Sequence, residues 1–204
     1  MSVKKKDTEK YKEFFIESDS TMKRLALKNG MPLWRVDDNY FRSLVESIIG
    51  QQVSVKAAQT INERFLALFG GEHFPTPEKV NSITEKEMYK AGVSPQKASY
   101  IKGLAEAFTE NTIEFEKFEE MNDEEIIRTL TRVRGIGRWT VEMFLIFSLG
   151  REDVFSFADK GLLQAMQENY GKKKQIKTDD LERIVKKWKP YRSIASLLLW
   201  ESVD

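Results

Sequence analysis

The stretch LTRVRGIGRWTVEMFLIFSLGREDVFSFADKGL, residues 130–162, carries the reading of this chain. Within it, Val133-Arg134-Gly135-Ile136-Gly137 sets two glycines at the mouth of an apolar segment that begins near Arg138. Glycine takes up backbone conformations closed to other residues and lets main-chain amides come very near another surface. A helix starting near Arg138 directs its unpaired N–H groups and the positive end of its dipole at the same place. That arrangement suits an anion such as a phosphate.

Leu130, Val133, Ile136 and Val141 flank the glycines, so a helix ending near Arg132 can fold back onto the one starting near Arg138. The product is either a helix-hairpin-helix, which grips DNA backbone through main-chain groups without reading sequence, or a plain αα-hairpin with a glycine turn. A lone G-x-G does not separate the two. Asp159 follows Gly137 by 22 residues, immediately before the apolar periodicity of Leu162, Leu163 and Met166. An aspartate there is a natural helix N-cap. The same carboxylate, held at a backbone grip, is also placed to stabilise positive charge developing on a deoxyribose. The two roles are compatible, because capping fixes the side chain.

Composition narrows the chemistry. The chain of 204 residues has no cysteine, which removes disulfides, cysteine-ligated iron–sulfur clusters and thiolate zinc sites. A single histidine, His73, argues against a His-based metal site or a Ser-His-Asp triad. The net charge of +1 argues against a protein that coats nucleic acid by bulk electrostatics. Charge is nonetheless uneven: residues 114–125 are acidic, Arg132, Arg134 and Arg138 surround the glycine turn, and Lys172, Lys173, Lys174 and Lys177 form a second basic patch. No apolar run reaches the ~20 residues of a membrane helix, and no apolar segment follows the Lys-rich start, so neither membrane insertion nor secretion is expected.

The periodicity is helical nearly throughout. Tyr40, Phe41, Leu44, Val45, Ile48 and Ile49 follow helical spacing, as do Ile61, Phe65, Leu68 and Phe69, and Leu181, Ile184, Val185 and Trp188. Thr76-Pro77 and Ser94-Pro95 read as helix starts, and Pro190 as the opening of the last helix. No alternating stretch is long enough to count as a strand. An all-α chain of about ten helices is expected. Trp139 and Trp200 suit a buried core, but Trp139, two residues after Gly137, also stands where a ring can stack on a base taken out of the duplex. In Ser47-Ile48-Ile49-Gly50-Gln51-Gln52-Val53-Ser54, two adjacent amides interrupt an apolar helix end. They suit polar contact with bases, or simply a solvent-facing loop.

Four segments together resemble the helix-hairpin-helix/Gly-Pro-Asp superfamily of base-excision DNA glycosylases, and most nearly its alkylpurine branch. They are Ile48–Ser54; Gly135-Ile136-Gly137-Arg138-Trp139-Thr140; Ala158-Asp159-Lys160-Gly161-Leu162; and Trp188-Lys189-Pro190-Tyr191-Arg192-Ser193 followed by Leu199-Trp200. The resemblance implies a two-lobed helical fold with the active site in the cleft between lobes. It also implies a central lobe over 40–151 and a second lobe built from 1–39 with 152–204. Asp159 is then the catalytic carboxylate, Trp139, Met143 and Trp200 form the base pocket, and Gln52 is the wedge that fills the vacated stack. Thr131, Val133, Gly135, Ile136, Gly137 and Arg138 meet the DNA backbone, the carbonyls of Thr131, Val133 and Ile136 holding a monovalent cation. No cofactor and no catalytic metal are implied.

Lyase-competent relatives carry a lysine at the position of Trp139, so the resemblance implies a monofunctional enzyme that hydrolyses the N-glycosidic bond of alkylated purines. The implied partner is duplex DNA containing damaged bases, met by a monomer in the cytoplasm or nucleoid. A glycosylase for oxidised or deaminated bases and a non-catalytic damaged-DNA-binding module are the alternatives. This chain departs from the family pattern at Ser156, where proline is usual, at Lys160, where an apolar residue is usual, and at Arg134, where many relatives have proline.

Overall fold

A computed structural model describes residues 3–171 and 174–203; the expected basic residues Lys172 and Lys173 lie outside the described residues. The described chain is built of α-helices joined by short connections. It also forms one two-stranded antiparallel ribbon, β1 (Val3–Lys6) with β2 (Trp34–Asp37), in the register Val3 to Asp37 and Lys6 to Trp34. The sequence gives no sign of this ribbon because each strand has four residues and β1 reads as a solvated lysine run. Only β2 alternates, with Trp34 and Val36 buried and Arg35 exposed.

The helices fall into two compact units, one of residues 1–38 with 145–204 and one of 39–144. The expected divisions, after 39 and after 151, lie near these, but the second now falls inside a helix. Leu145 and Ile146 are buried in the discontinuous unit, where the Trp34 indole N–H donates to the Ile146 carbonyl at 3.0 Å.

In that unit α1 (Lys12–Ser18) packs on α2 (Ser20–Asn29), and α12 (Arg192–Trp200) packs on α2 and on α10 (Lys160–Tyr170). The sequence between α10 and α12 holds α11 (Thr178–Lys186). Asp19 ties the N-terminal segment to the C-terminal one. Its carboxylate caps α2 by accepting from the Thr21 and Met22 amides at 2.9 and 2.8 Å. It also accepts from the Tyr170 hydroxyl at 3.0 Å and the buried Trp188 indole at 3.3 Å. Burial, with Asp19 alongside, pushes the Tyr170 hydroxyl well above the usual tyrosine range, so it remains a donor.

The second unit is arranged around α7 (Pro95–Thr109), which packs against α3 (Tyr40–Gly50), α5 (Pro77–Ser82) and α6 (Glu85–Lys90). The Ser94 and Thr76 hydroxyls cap α7 and α5 by accepting from the third helical amide, with proline first in each helix, as the sequence signals indicate. Phe41, Phe108, Phe115, Phe118 and Phe144 form an aromatic core, with Phe108 stacked on Phe115 at 4.0 Å between centroids. α4 (Val55–Ala67) follows α3 after a tight loop, and α8 (Asp123–Leu130) leads into α9 (Arg138–Phe147). The last helix starts at Arg192 rather than Pro190. There the Ser193 amide donates to the Glu152 carbonyl at 2.9 Å, so the 151–154 loop satisfies a helix-end group.

Candidate active site

The glycine turn joins α8 to α9 within the unit 39–144. α8 is fixed at its start by a reciprocal pair, the Asn122 side chain accepting from the Glu125 amide and Glu125 accepting from the Asn122 amide. After α8 the chain turns through Ile136, buried at 4% exposure, whose amide donates to the Val133 carbonyl at 3.1 Å. Gly135 has φ +90°, and a β-carbon there would overlap the Tyr100 ring. The turn therefore rests its main chain flat on Tyr100, and the Arg134 guanidinium lies over the same ring at 5.7 Å.

Gly137 is different. A β-carbon there meets no described atom within 4 Å, and its φ lies outside the left-handed region. Nothing inside the described chain requires glycine at this position. An exposed glycine directly ahead of a helix leaves room for an external anion to come close to the main chain at the helix start.

Two glutamates account for Arg138. Its guanidinium pairs with Glu124 at 2.5 Å and with the nearly buried Glu142 at 2.9 Å. The residue expected at the DNA backbone is thus engaged in bracing α8 against α9. The Arg138 hydrogen bond holds the Glu124 carboxyl below the usual carboxylate range.

The two amides of the loop between α3 and α4 also separate. Gln51 turns inward, its Nε2 donating to the Gly135 carbonyl at 2.9 Å and reaching Thr140 Oγ1 at 3.4 Å. Gln52 is exposed, with a left-handed φ of +58°. For a non-glycine residue that conformation costs about 1–3 kcal/mol and persists only when its surroundings impose it. Gln52, Thr131, Val133, Gly135, Ile136, Gly137 and Trp139 line one concavity of about 760 Å³. Lys97 and Tyr100 of α7, which sequence reasoning missed, line it as well. Their only signal in the sequence is a position on the first turns of a well-capped helix. Met143 and Arg138 are not among its walls; Met143 is half-buried one turn beyond Trp139 on α9.

Asp159 lies in the unit 1–38 with 145–204, as the N-cap of α10. Its Oδ1 accepts from the Leu162 amide at 2.7 Å and from the Trp200 indole N–H at 3.0 Å. Trp200, expected as a wall of the base pocket, is therefore also a hydrogen-bond donor to the carboxylate. Its half-buried ring lies 5.8 Å from Phe147, an exposed aromatic that sequence reasoning did not single out.

The loop before Asp159 is clamped to α12. Arg192 makes two bonds to the Asp153 carboxylate, at 2.6 and 3.1 Å, and one to its carbonyl at 2.7 Å. The Ser193 hydroxyl donates to the Arg151 carbonyl at 2.6 Å and accepts from the Val154 amide at 3.0 Å. Ser156 is wholly buried, and its main-chain carbonyl accepts from the Asp159 amide at 3.3 Å, closing the turn that precedes α10. No cluster of His, Cys, Asp and Glu among the described residues has the makings of a metal site.

Residues 45–190 match the family described as HhH-GPD superfamily base excision DNA repair protein. YfjP of Bacillus subtilis (strain 168) is 33% identical over 180 residues; the match covers 86% of this chain and 62% of YfjP, so the chain spans about three fifths of that relative's length. Among solved structures, the 3-methyladenine DNA glycosylase Mag1 of Schizosaccharomyces pombe, in complex with abasic DNA, superposes with a TM-score of 0.84 at 31% identity, covering 95% of this chain and 96% of that one. The DNA-3-methyladenine glycosidase of Bacillus halodurans superposes with a TM-score of 0.81 at 34% identity, covering 99% and 92%.

Proposed function

Since the chain belongs to the HhH-GPD superfamily of base excision DNA repair proteins, we propose that it is a monofunctional DNA glycosylase that excises alkylated purines, of the 3-methyladenine and 7-methylguanine type, from duplex DNA. The observation that carries this reading is Asp159: a carboxylate at a helix start, with one oxygen held by two donors. The similarity to Mag1 and to the Bacillus halodurans glycosidase supports it.

The two units divide the work. The Gly135–Gly137 main chain takes the DNA backbone, with the carbonyls of Thr131, Val133 and Ile136 as the set that would hold a monovalent cation. Gln52 fills the stack as the damaged nucleotide turns out. Extrusion costs a few kcal/mol, less for a poorly paired base, which favours lesions. A purine methylated at N3 or N7 is cationic, so it leaves readily and gains about 0.5–2 kcal/mol on an aromatic face such as Trp139, with Met143 beside it. As the glycosidic bond breaks, positive charge grows on the sugar. Asp159 stabilises it and orients the water that adds to the sugar.

Trp200 both fixes the carboxylate and offers its ring. Trp139 has no amine to form a Schiff base, so the product is an intact abasic site. The protein acts as a monomer on cytoplasmic or nucleoid DNA.

The test is release of free base from dimethyl sulfate-treated DNA. Wild-type protein should release 3-methyladenine and leave nothing that borohydride traps. Asp159→Asn should bind the same DNA and release none. Tight binding without release by the wild type would make this chain a non-catalytic damage-binding module instead.

A further inference from the structure

Lys97, on the first turn of α7, is half-buried in the unit 39–144 and directs its ammonium at main-chain oxygens. Nζ donates to the Ile49 carbonyl at 2.8 Å and to the Gln51 carbonyl at 2.7 Å. Ile49 lies in the last turn of α3 and Gln51 is the residue that ends it. The last carbonyls of a helix lack partners within it and carry its partial negative charge, so an ammonium there satisfies two acceptors and complements the dipole. Burial lowers the Lys97 pKa, so these bonds come from a partly desolvated cation.

The next residue is Gln52, exposed and left-handed. On the other side, the Gln51 side chain reaches the Gly135 carbonyl, within the hairpin. The main chain leading into Gln52 is therefore held from α7 and its side-chain neighbour is anchored to the hairpin.

We propose that Lys97 is the positioning residue of the wedge: its ammonium fixes the main chain before Gln52 so that this side chain enters the base stack in register with the hairpin's hold on the backbone. This rests on the reading of Gln52 as wedge and of the Gly135–Gly137 turn as grip. Lys97 then acts on extrusion of the nucleotide and not on bond cleavage, and it does so only through Gln52.

The experiment is a double-mutant cycle in the full chain with Lys97→Met, Lys97→Arg, Gln52→Ala and the Lys97→Met/Gln52→Ala pair. One readout is fluorescence of 2-aminopurine placed beside a tetrahydrofuran abasic analogue in duplex DNA, which rises when the wedge unstacks it. The other is release of 3-methyladenine at saturating protein. Lys97→Met and Gln52→Ala should each lower both readouts by about tenfold, and the pair should be no worse than Gln52→Ala alone. Lys97→Arg, which keeps two donors and the charge, should recover most of the signal, a rescue that a general packing role does not give.

Additive losses in the pair, or an unchanged signal in Lys97→Met while Gln52→Ala loses it, would overturn the positioning role and leave the wedge standing. An unchanged signal in Gln52→Ala would remove the wedge and the inference with it. If Lys97→Met melts below the assay temperature, Lys97→Gln, which keeps a donor at reduced reach, takes its place in the same cycle.

Discussion

At Gly135 the main chain lies against Tyr100 with φ +90°, whereas at Gly137 a side chain has open space around it. Gly135→Ala forces a β-carbon into the ring and an L-residue into a left-handed conformation, two costs that sum to about 2–5 kcal/mol. Thermal melting should show that loss, and pairing the change with Tyr100→Ala should return only the part owed to the ring, because the Tyr100 β-carbon, 2.7 Å from the added one, remains. Gly137→Ala should leave the melting temperature nearly unchanged and weaken duplex DNA binding instead, because its methyl group stands only in the way of what approaches from outside. The G-x-G spacing was legible in sequence. That one glycine answers to an internal ring and the other to an external partner was not, since Tyr100 is 35 residues away in the chain. The same holds for Gln51 and Gln52, identical in type and adjacent, where one amide bonds to the hairpin and the other is exposed.

The α8–turn–α9 element carries an ion pair between its helices beside its buried apolar contacts. Arg138 opens α9 and is paired with Glu124 in the first turn of α8 and with Glu142 one turn along its own helix. A guanidinium so engaged contributes less to phosphate binding than its position suggests. Glu124→Gln should therefore tighten DNA binding several-fold at low salt and steepen the dependence of affinity on salt by about one phosphate contact. A titration at three salt concentrations checks this; an unchanged slope would mean that Arg138 only braces the two helices.

The acid side follows from the same pair. Arg138 holds the Glu124 carboxyl below its ordinary value of 4.5, so the stabilisation is full above that value and fades as the pH falls through the lowered one. The difference in melting temperature between wild type and Glu124→Gln should accordingly shrink on acidification. Sequence showed that arginines surround the turn and that 114–125 is acidic. It did not show that one run neutralises part of the other, because that pairing exists only once α8 folds back on α9.

At the scale of the whole molecule, the discontinuous unit depends on bonds between residues far apart in the chain. Asp19 joins the cap of α2 to Tyr170 and Trp188, and Asp19→Ala leaves two amides, a hydroxyl and an indole N–H short of a partner. A loss of about 3–4 kcal/mol is expected from the cap and the orphaned buried donors. Hydrogen exchange should show protection falling in 1–38 and 145–203 while 39–144, with its own aromatic core, keeps its own. The amino-acid sequence by itself determined the helical class, the starts of α5 and α7, the hairpin turn, and the residue types that make Asp159 and Trp139 worth singling out, because each depends on local periodicity, capping and glycine geometry. Only the tertiary structure decided that Arg192 and Ser193 clamp the loop before Asp159, that Trp200 donates to its carboxylate, and that Lys97 holds the chain at Gln52. Those are contacts between groups separated by tens of residues, set by how helices pack, and no local pattern encodes them.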